Sequence, residues 1–364
     1  MPLSQFAPEN YFTFLSEKEA RMQALFKPFT SKVPDVFASP KTHFRYRAEF
    51  SIWHEGNEWD YVVFPKGNNS NPIKLNDFPI ASLKINQLMP LLKSAISQDE
   101  VLSKKLFQIE FLTTLSGQAL VTLIYHKKLD EPWEIKAKAL AASLNIQLIG
   151  RSRKQKVVID SDAVVETLTV GGDTIHYRQT EGGFTQPNPY INQSMLHWAS
   201  TQLKQNQGDL LELYCGNGNF TLPLAQHFNQ VIATEISKTS IYNAKWNCEK
   251  NGVSNIHFLR LSSEEFTSAM NKEREFRRMK EAQISLEDYN FNTLFVDPPR
   301  AGLDKDTLKL ATRFDQILYI SCNPTTLVEN IRDLSKSHQM STWAIFDQFP
   351  YTDHIETGVL LQKK

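Results

Sequence analysis

Cysteine is scarce in this 364-residue chain: Cys215, Cys248 and Cys322 are the whole set, and they lie far apart. No CxxC pair exists, which argues against a zinc or iron–sulfur site built from cysteines. A sparse, odd set reads as free thiols in a reducing cytosol. An excess of one charge is also missing. Lys and Arg total 40 and Asp and Glu total 40, so any nucleic-acid surface must be a local patch. No apolar run is long enough to span a bilayer. The opening MPLSQFAPENYF lacks the charged and apolar regions of a signal peptide, so a cytoplasmic location is expected. There is no internal repeat or low-complexity tract. The length suits about two domains.

The two halves differ in pattern. EGGFTQPNPY, at 181–190, concentrates two glycines and two prolines in a short polar stretch and marks a linker or gating loop. Beyond it, strand-like and helix-like segments alternate. Strands are expected at 209–214, 230–236, 256–261, 293–296 and 316–321, then at 342–346 and 357–362. A helix over 240–250 should stop at Asn251-Gly252. Such alternation predicts a parallel sheet with helices on both faces. The last two strands lack a helix between them and should pair antiparallel at the edge. NKEREFRRMK, at 271–280, mixes both signs and reads as a solvated helix. Before the linker, strands at 44–53 and 58–64 flank the turn HEGN. Strands at 106–115 and 118–125 flank Ser116-Gly117 as a hairpin. Residues 131–144 are Ala-rich and helical. This half is α+β.

LYCGNGNF, at 213–220, lies where the first strand of the second half gives way to a helix. Glycines there let backbone approach a ligand, and the helix N-terminus is electropositive. Glu235 ends the next strand about twenty residues later, where a carboxylate accepts from ribose hydroxyls. The alternative is an ordinary strand–turn–helix with an incidental acid. The cofactor is a dinucleotide or S-adenosylmethionine. GNGNF lacks the third glycine of the dinucleotide pattern. Asp297-Pro298-Pro299-Arg300, at the end of the fourth strand, favours S-adenosylmethionine. An acid or Asn before two prolines recurs in methyltransferases acting on planar nitrogenous bases, and the prolines fix backbone at the ligand-binding edge.

ILYISCNPTTL brings Cys322 to the end of the fifth strand, beside that edge. The helix starting near Thr325 could lower its pKa; the alternative is a buried core cysteine. FDQFPYTDHIET, at 346–357, places Asp353, His354 and Glu356 before the final strand, a common place for a general base. Carbon 5 of uracil is a chemistry that needs both groups. It is too weak a nucleophile to attack a methyl sulfonium unaided. A thiolate added at carbon 6 makes it nucleophilic, and a base must then remove the proton on carbon 5.

These stretches, with SPKTHFRYRAEFSIWH, LFQIEFLTTLSGQALVTLIYHKKL, LIGRSRKQK, GGFTQPN and FVDPPRAGLD, resemble the RNA 5-methyluridine methyltransferase family through almost the whole chain. SCNP with FPYTxHxE is the specific pair. The resemblance implies Cys322 as nucleophile and Glu356 as proton acceptor. It implies Gln186, Tyr214, Asn219, Glu235 and Asp297 as S-adenosylmethionine contacts. The implied reaction is methylation of uridine 54 in the tRNA T-loop, with the T-like loop of transfer-messenger RNA as a further substrate. Ribosomal RNA methylation and an RNA-binding, tRNA-folding role are the alternatives. Relatives acting on ribosomal RNA carry N-terminal cysteines for an iron–sulfur cluster, and some add an OB-type domain. No cysteine precedes Cys215, and residues 1–40 are short for that domain, which favours the tRNA branch without metal or cluster. The expected fold is α/β. A C-terminal Rossmann-like methyltransferase domain with a mostly parallel sheet would occupy 181–364, and an N-terminal α+β RNA-binding domain 1–180. A monomer binding the tRNA T-arm, away from membranes, is expected.

RNA contacts are read on local features. Arg45 and Arg47 alternate with Phe44 and Tyr46, so in a strand both arginines share a face and reach phosphates together. Residues 151–156, RSRKQK, form a second basic patch. Phe107 and His126 are candidates to stack on opened bases. A solvated strand face, an exposed turn and a core Phe are the respective alternatives. Ser51 departs from the family, where a basic residue is expected.

Overall fold

Asp209–Leu213 is the middle one of five parallel strands within an eight-stranded sheet in the computed structural model, which describes residues 6–56, 58–64, 71–204 and 208–364. Val231–Thr234 and then Ile256–Leu259 lie on one side of it. Phe291–Val296 and then Gln316–Ser321 lie on the other, and all five strands are parallel. Every residue of Asp209–Leu213 and Val231–Thr234 is buried, as expected where helices cover both faces. Strand order reverses between Asp209–Leu213 and Phe291–Val296. Such a switch point opens a crevice at the carboxyl ends of the strands.

The final strand, Glu356–Lys363, inserts antiparallel between Gln316–Ser321 and His338–Phe346. The antiparallel pairing is as predicted, but the edge belongs to another segment. Asp35–Phe37 pairs parallel to His338–Phe346 and closes that side. Three residues are too few for a strand period to register.

The chain forms two compact units that interleave along the sequence. One is built on Pro40–Thr167 and Arg178–Pro189; the other on Glu9–Ser39, Leu168–Tyr177 and Tyr190–Lys364. A single cut near 180 does not describe this division, because the helix Tyr11–Phe26 goes with the second unit. Its Met22 and Phe26 enter the core formed with Leu213, Val296 and Tyr319. The solvated helix expected over 271–280 shrinks to Arg277–Glu281, and Phe276 and Met279 turn into that same core.

The other unit holds a seven-stranded sheet. Arg47–Glu55 pairs with Glu58–Val63 and with Leu106–Thr113, and Leu106–Thr113 with Ala119–Tyr125, all antiparallel. Ala119–Tyr125 then pairs parallel with Gln147–Ser152, and the helix Glu131–Leu144 makes the crossover. That helix starts at Asp130, whose side chain accepts from the Trp133 N–H, and stops at left-handed Asn145. Trp133 packs so closely on Gly150 that a Cβ there would meet the indole at 2.2 Å. Among the described residues no helix is long and apolar enough to cross a membrane.

Candidate active site

The glycine loop grows directly out of the central strand. Tyr214 takes a left-handed φ of 64°, and Gly216 and Gly218 follow at 57° and 80°. A Cβ on Gly218 would lie 2.9 Å from the Leu222 side chain, so both space and φ demand glycine there; among the described residues, its chain neighbours aside, nothing lies within 4 Å of a Cβ on Gly216. The Glu235 carboxylate reaches this loop, accepting from the Gly216 N–H at 3.2 Å and from the Ser237 N–H at 2.7 Å. Each oxygen keeps a lone pair for a hydroxyl. Ile236 beside it is 68% exposed, an apolar surface suited to a flat ring. Asn219 and Asn192 exchange amide hydrogen bonds at 2.8 and 3.0 Å, and the Tyr214 hydroxyl donates to Ser263 Oγ at 2.6 Å. Tyr214, Asn219, Glu235 and Asp297 therefore stand at the carboxyl ends of three adjacent strands. This set fits a nucleoside with a polar tail. Gln186 belongs to the other unit. Among the described residues no cluster of His, Cys, Asp or Glu could hold a metal ion.

The nucleophile and base candidates face each other across a strand pair. Ser321 is the register partner of Thr357, so one step further Cys322 comes opposite Glu356. Glu356 is the first residue of the final strand, also paired with Phe346, and only 5% exposed. It is no solvated loop acid. Cys322 is half-buried, unlike the buried Cys215 and Cys248. The chain turns sharply after it. The Ser321 hydroxyl takes the Asn323 N–H at 3.1 Å, and the Asn323 side chain caps the helix Pro324–Leu334. Asn323 Nδ2 also donates to the Arg300 carbonyl at 3.0 Å, as does Thr326 Oγ1 at 3.2 Å. These bonds tie SCNP to DPPR. Gly302, at φ 76°, completes the DPPRAG turn, where a Cβ would meet Asn330 Oδ1 at 2.8 Å. A cavity of about 660 Å³ opens over Cys322, with Arg21, Leu25, Arg300, Asn323 and His354 in its wall.

The electrostatics overturn one expectation. Burial, then the Glu356 and Asp297 carboxyls, push the Cys322 thiol above the ordinary cysteine range, while Arg300 pulls it down. The net direction is up despite the helix that follows. Burial also raises the Asp297 carboxyl to about 7. Glu356 is raised well above the carboxylate range by burial and by Asp297, with Arg300 opposing. One cation thus faces three acids, and the arrangement holds protons until something neutralises or displaces charge. The role of Arg300 is absent from the sequence reading. Its only signal was the fourth place of DPPR.

Alkylation gives a direct check. Iodoacetamide should modify Cys322 slowly at neutral pH and faster as pH rises past the ordinary cysteine range. Glu356→Gln should move that profile to lower pH, because a neutral amide no longer disfavours the thiolate. Cys215 is raised well above its ordinary value and Cys248 to about 12, so neither competes. A wild-type profile below the ordinary range would contradict this geometry.

The expected RNA contacts all fall in the other unit. Phe107 is 42% exposed, so it is not core, and its ring stacks on His126 at 4.2 Å between centroids and 22° between planes. Arg47 begins its strand and donates to the Gly183 carbonyl; Arg45 lies just before it, bridged to Ala81. The two arginines line different depressions, Arg45 one that includes Ser51 and Gln108, Arg47 one that includes Glu110 and Glu181. In the basic run, Arg151 binds Glu181 at 2.7 Å and Lys156 binds Asp162 at 3.1 Å. Arg153 and Lys154 stay exposed at the hairpin turn.

A family model described as tRNA (uracil-5-)-methyltransferase matches residues 10–364. A Stutzerimonas stutzeri protein named tRNA/tmRNA (uracil-C(5))-methyltransferase is 54% identical over 364 residues, covering 100% of each chain. Its namesake from Pseudomonas aeruginosa is 53% identical over 366 residues, again covering 100% of each. Among solved structures, the Pyrococcus abyssi tRNA (uracil-54, C5)-methyltransferase in complex with S-adenosyl-L-homocysteine matches with a TM-score of 0.74. It covers 97% of this chain and 83% of that one, and at 21% identity the likeness is one of fold.

Proposed function

The chain belongs to the tRNA (uracil-5-)-methyltransferase family, and from that premise we propose that it methylates carbon 5 of uridine 54 in the tRNA T-loop, using S-adenosylmethionine. The T-like loop of transfer-messenger RNA is the second substrate of this reading, as the names of the relatives suggest. The observation that carries the chemistry is the gathering of Glu356, Asp297 and Arg300 around Cys322, just past the paired Ser321 and Thr357.

The residues divide the work as follows. S-adenosylmethionine supplies an electrophilic methyl group, and its sulfonium leaves as a neutral thioether. Glu235 would take the ribose hydroxyls, and Tyr214 and Asn219 the remaining polar groups. Cys322 releases its thiol proton to solvent and its thiolate forms the sulfur–carbon 6 bond, and the carbon 5–carbon 6 π pair moves onto carbon 5 and oxygen 4. Arg300 favours the thiolate needed for this step. Carbon 5 takes the methyl group. Glu356 then accepts the proton from carbon 5, the double bond re-forms and the carbon–sulfur bond breaks, returning the thiolate. Asp297 lies beside both groups and would hold the uracil edge or the cofactor.

Uridine in a folded loop must swing out to reach Cys322. The Phe107–His126 stack offers a π-surface to bases left behind, and Arg45, Arg47, Arg153 and Lys154 offer phosphate contacts. The test uses tRNA containing 5-fluorouridine together with S-adenosylmethionine. Fluorine cannot leave as a cation, so a protein–RNA adduct should survive denaturation and be absent with Cys322→Ala. No adduct from the wild-type protein would end the covalent reading. An equal or greater rate on ribosomal RNA would end the tRNA assignment.

A further inference from the structure

The loop that delivers Glu356 is not held by its own sheet alone. It runs from Asp347 to Ile355, and its Tyr351 sits in the left-handed region at φ 61°, which a bulky residue adopts only when its surroundings enforce it. The enforcing element is the helix Tyr11–Phe26. Tyr351 packs edge-on against Tyr11 and Phe14, at centroid distances of 5.9 and 6.2 Å. One helical turn on, Lys18 is only 6% exposed, although lysine is rarely buried. All its donors are committed to this loop: Nζ reaches Asp347 Oδ1 at 2.6 Å, the Phe349 carbonyl at 3.0 Å and the His354 carbonyl at 3.1 Å. Arg21, on the same face, donates to the Asp353 carbonyl at 2.7 Å. Asp347 is itself buried, and its N–H binds the Phe37 carbonyl at 3.0 Å.

A buried ion pair is a poor source of stability, because desolvating both charges consumes most of their attraction; its better-attested use is to fix one geometry. Here the fixed geometry is a loop spanning Asp347 to His354 that ends two residues before Glu356. We propose that Lys18 is a positioning residue for the general base: it clamps the 347–355 loop so that Glu356 meets the proton on carbon 5 after methyl transfer. The inference rests on the covalent reading above.

That role separates two steps of one reaction. Forming the sulfur–carbon 6 bond and transferring the methyl group need Cys322 and both substrates, but not a well-placed Glu356. Releasing the product does. The test variant is Lys18→Met/Asp347→Asn, which removes both buried charges together and leaves neither stranded. With normal tRNA, turnover should fall by about 10- to 100-fold, the scale of a misplaced catalytic group, and methylated tRNA should accumulate covalently bound to protein. With 5-fluorouridine tRNA, adduct formation should stay within about threefold of wild type, a range ordinary for changes outside the reacting groups. Lys18→Arg, which can reach the same acceptors, should restore most of the turnover. Parallel loss of turnover and of fluorouridine adduct, or unfolding of both variants, would make Lys18 a stability residue and overturn the proposal. So would unchanged turnover. Absence of any adduct from the wild-type protein would instead defeat the covalent reading itself.

Discussion

Cys322→Ala should lower 5-methyluridine formation by about 10⁴-fold or more, the scale seen when a covalent nucleophile is removed, while tRNA affinity changes by less than about threefold. The asymmetry follows from where the side chain stands. Cys322 is half-buried at the mouth of a cavity, and its neighbours are held by other bonds. The Ser321 hydroxyl shapes the turn, Asn323 caps the helix, and Asn323 with Thr326 ties the turn to Arg300. Loss of one sulfur leaves that frame standing. RNA affinity comes chiefly from phosphate neutralisation and stacking, to which a thiol contributes little. The chemistry has no substitute, because carbon 5 cannot be made nucleophilic without addition at carbon 6. Serine would not serve either, since its hydroxyl is a far weaker nucleophile at neutral pH. Single-turnover methylation and filter binding on the same preparation separate the two effects. Residual activity within tenfold of wild type would remove Cys322 from the mechanism.

What was legible in the sequence followed from local signals. Gln316–Ser321 stands out because an apolar run stops at Ser-Cys-Asn-Pro, and the structure begins and ends it where the sequence does. Glu131–Leu144 is marked by its many alanines, and the structure gives the helix those bounds. The glycine loop and Glu235 declare themselves by a spacing of about twenty residues, and the Glu235 carboxylate meets the Gly216 N–H across nineteen. Long-range partners were not legible. Asp35–Phe37 has no period of its own and becomes a strand only because His338–Phe346 offers an edge. Tyr11–Phe26 lies in the N-terminal half by sequence, yet Lys18 finds its partner 329 residues away. The direction of the Cys322 pKa shift was hidden for the same reason. The following helix is a sequence neighbour, whereas Glu356, Asp297 and the surrounding burial are tertiary, and together they prevail.

Glu356→Gln should be the other large loss, about 10²- to 10⁴-fold in turnover, the range of general acid–base catalysis, but with a different signature from Cys322→Ala. The adduct should form, take up the methyl group and then stall, so that methylated tRNA stays attached to protein through denaturation. The fold should tolerate the change. Glu356 is buried and its carboxyl is held well above the ordinary range, so an amide of the same shape replaces a group whose charged form the site disfavours. The same fact sets a pH dependence. A protonated Glu356 cannot accept the carbon 5 proton, and a protonated Cys322 cannot attack. Both pKa values are raised, so activity must increase with pH until the base and the thiol are ionised, and fall off toward acid. Asp297, raised to about 7, is a cause of both shifts. Asp297→Asn removes its charge and should carry the rising limb of kcat/KM to lower pH, even as it reduces the rate. A limb that shifts upward would refute this coupling to Asp297, and a Glu356→Gln protein that turns over normally would exclude Glu356 as the base.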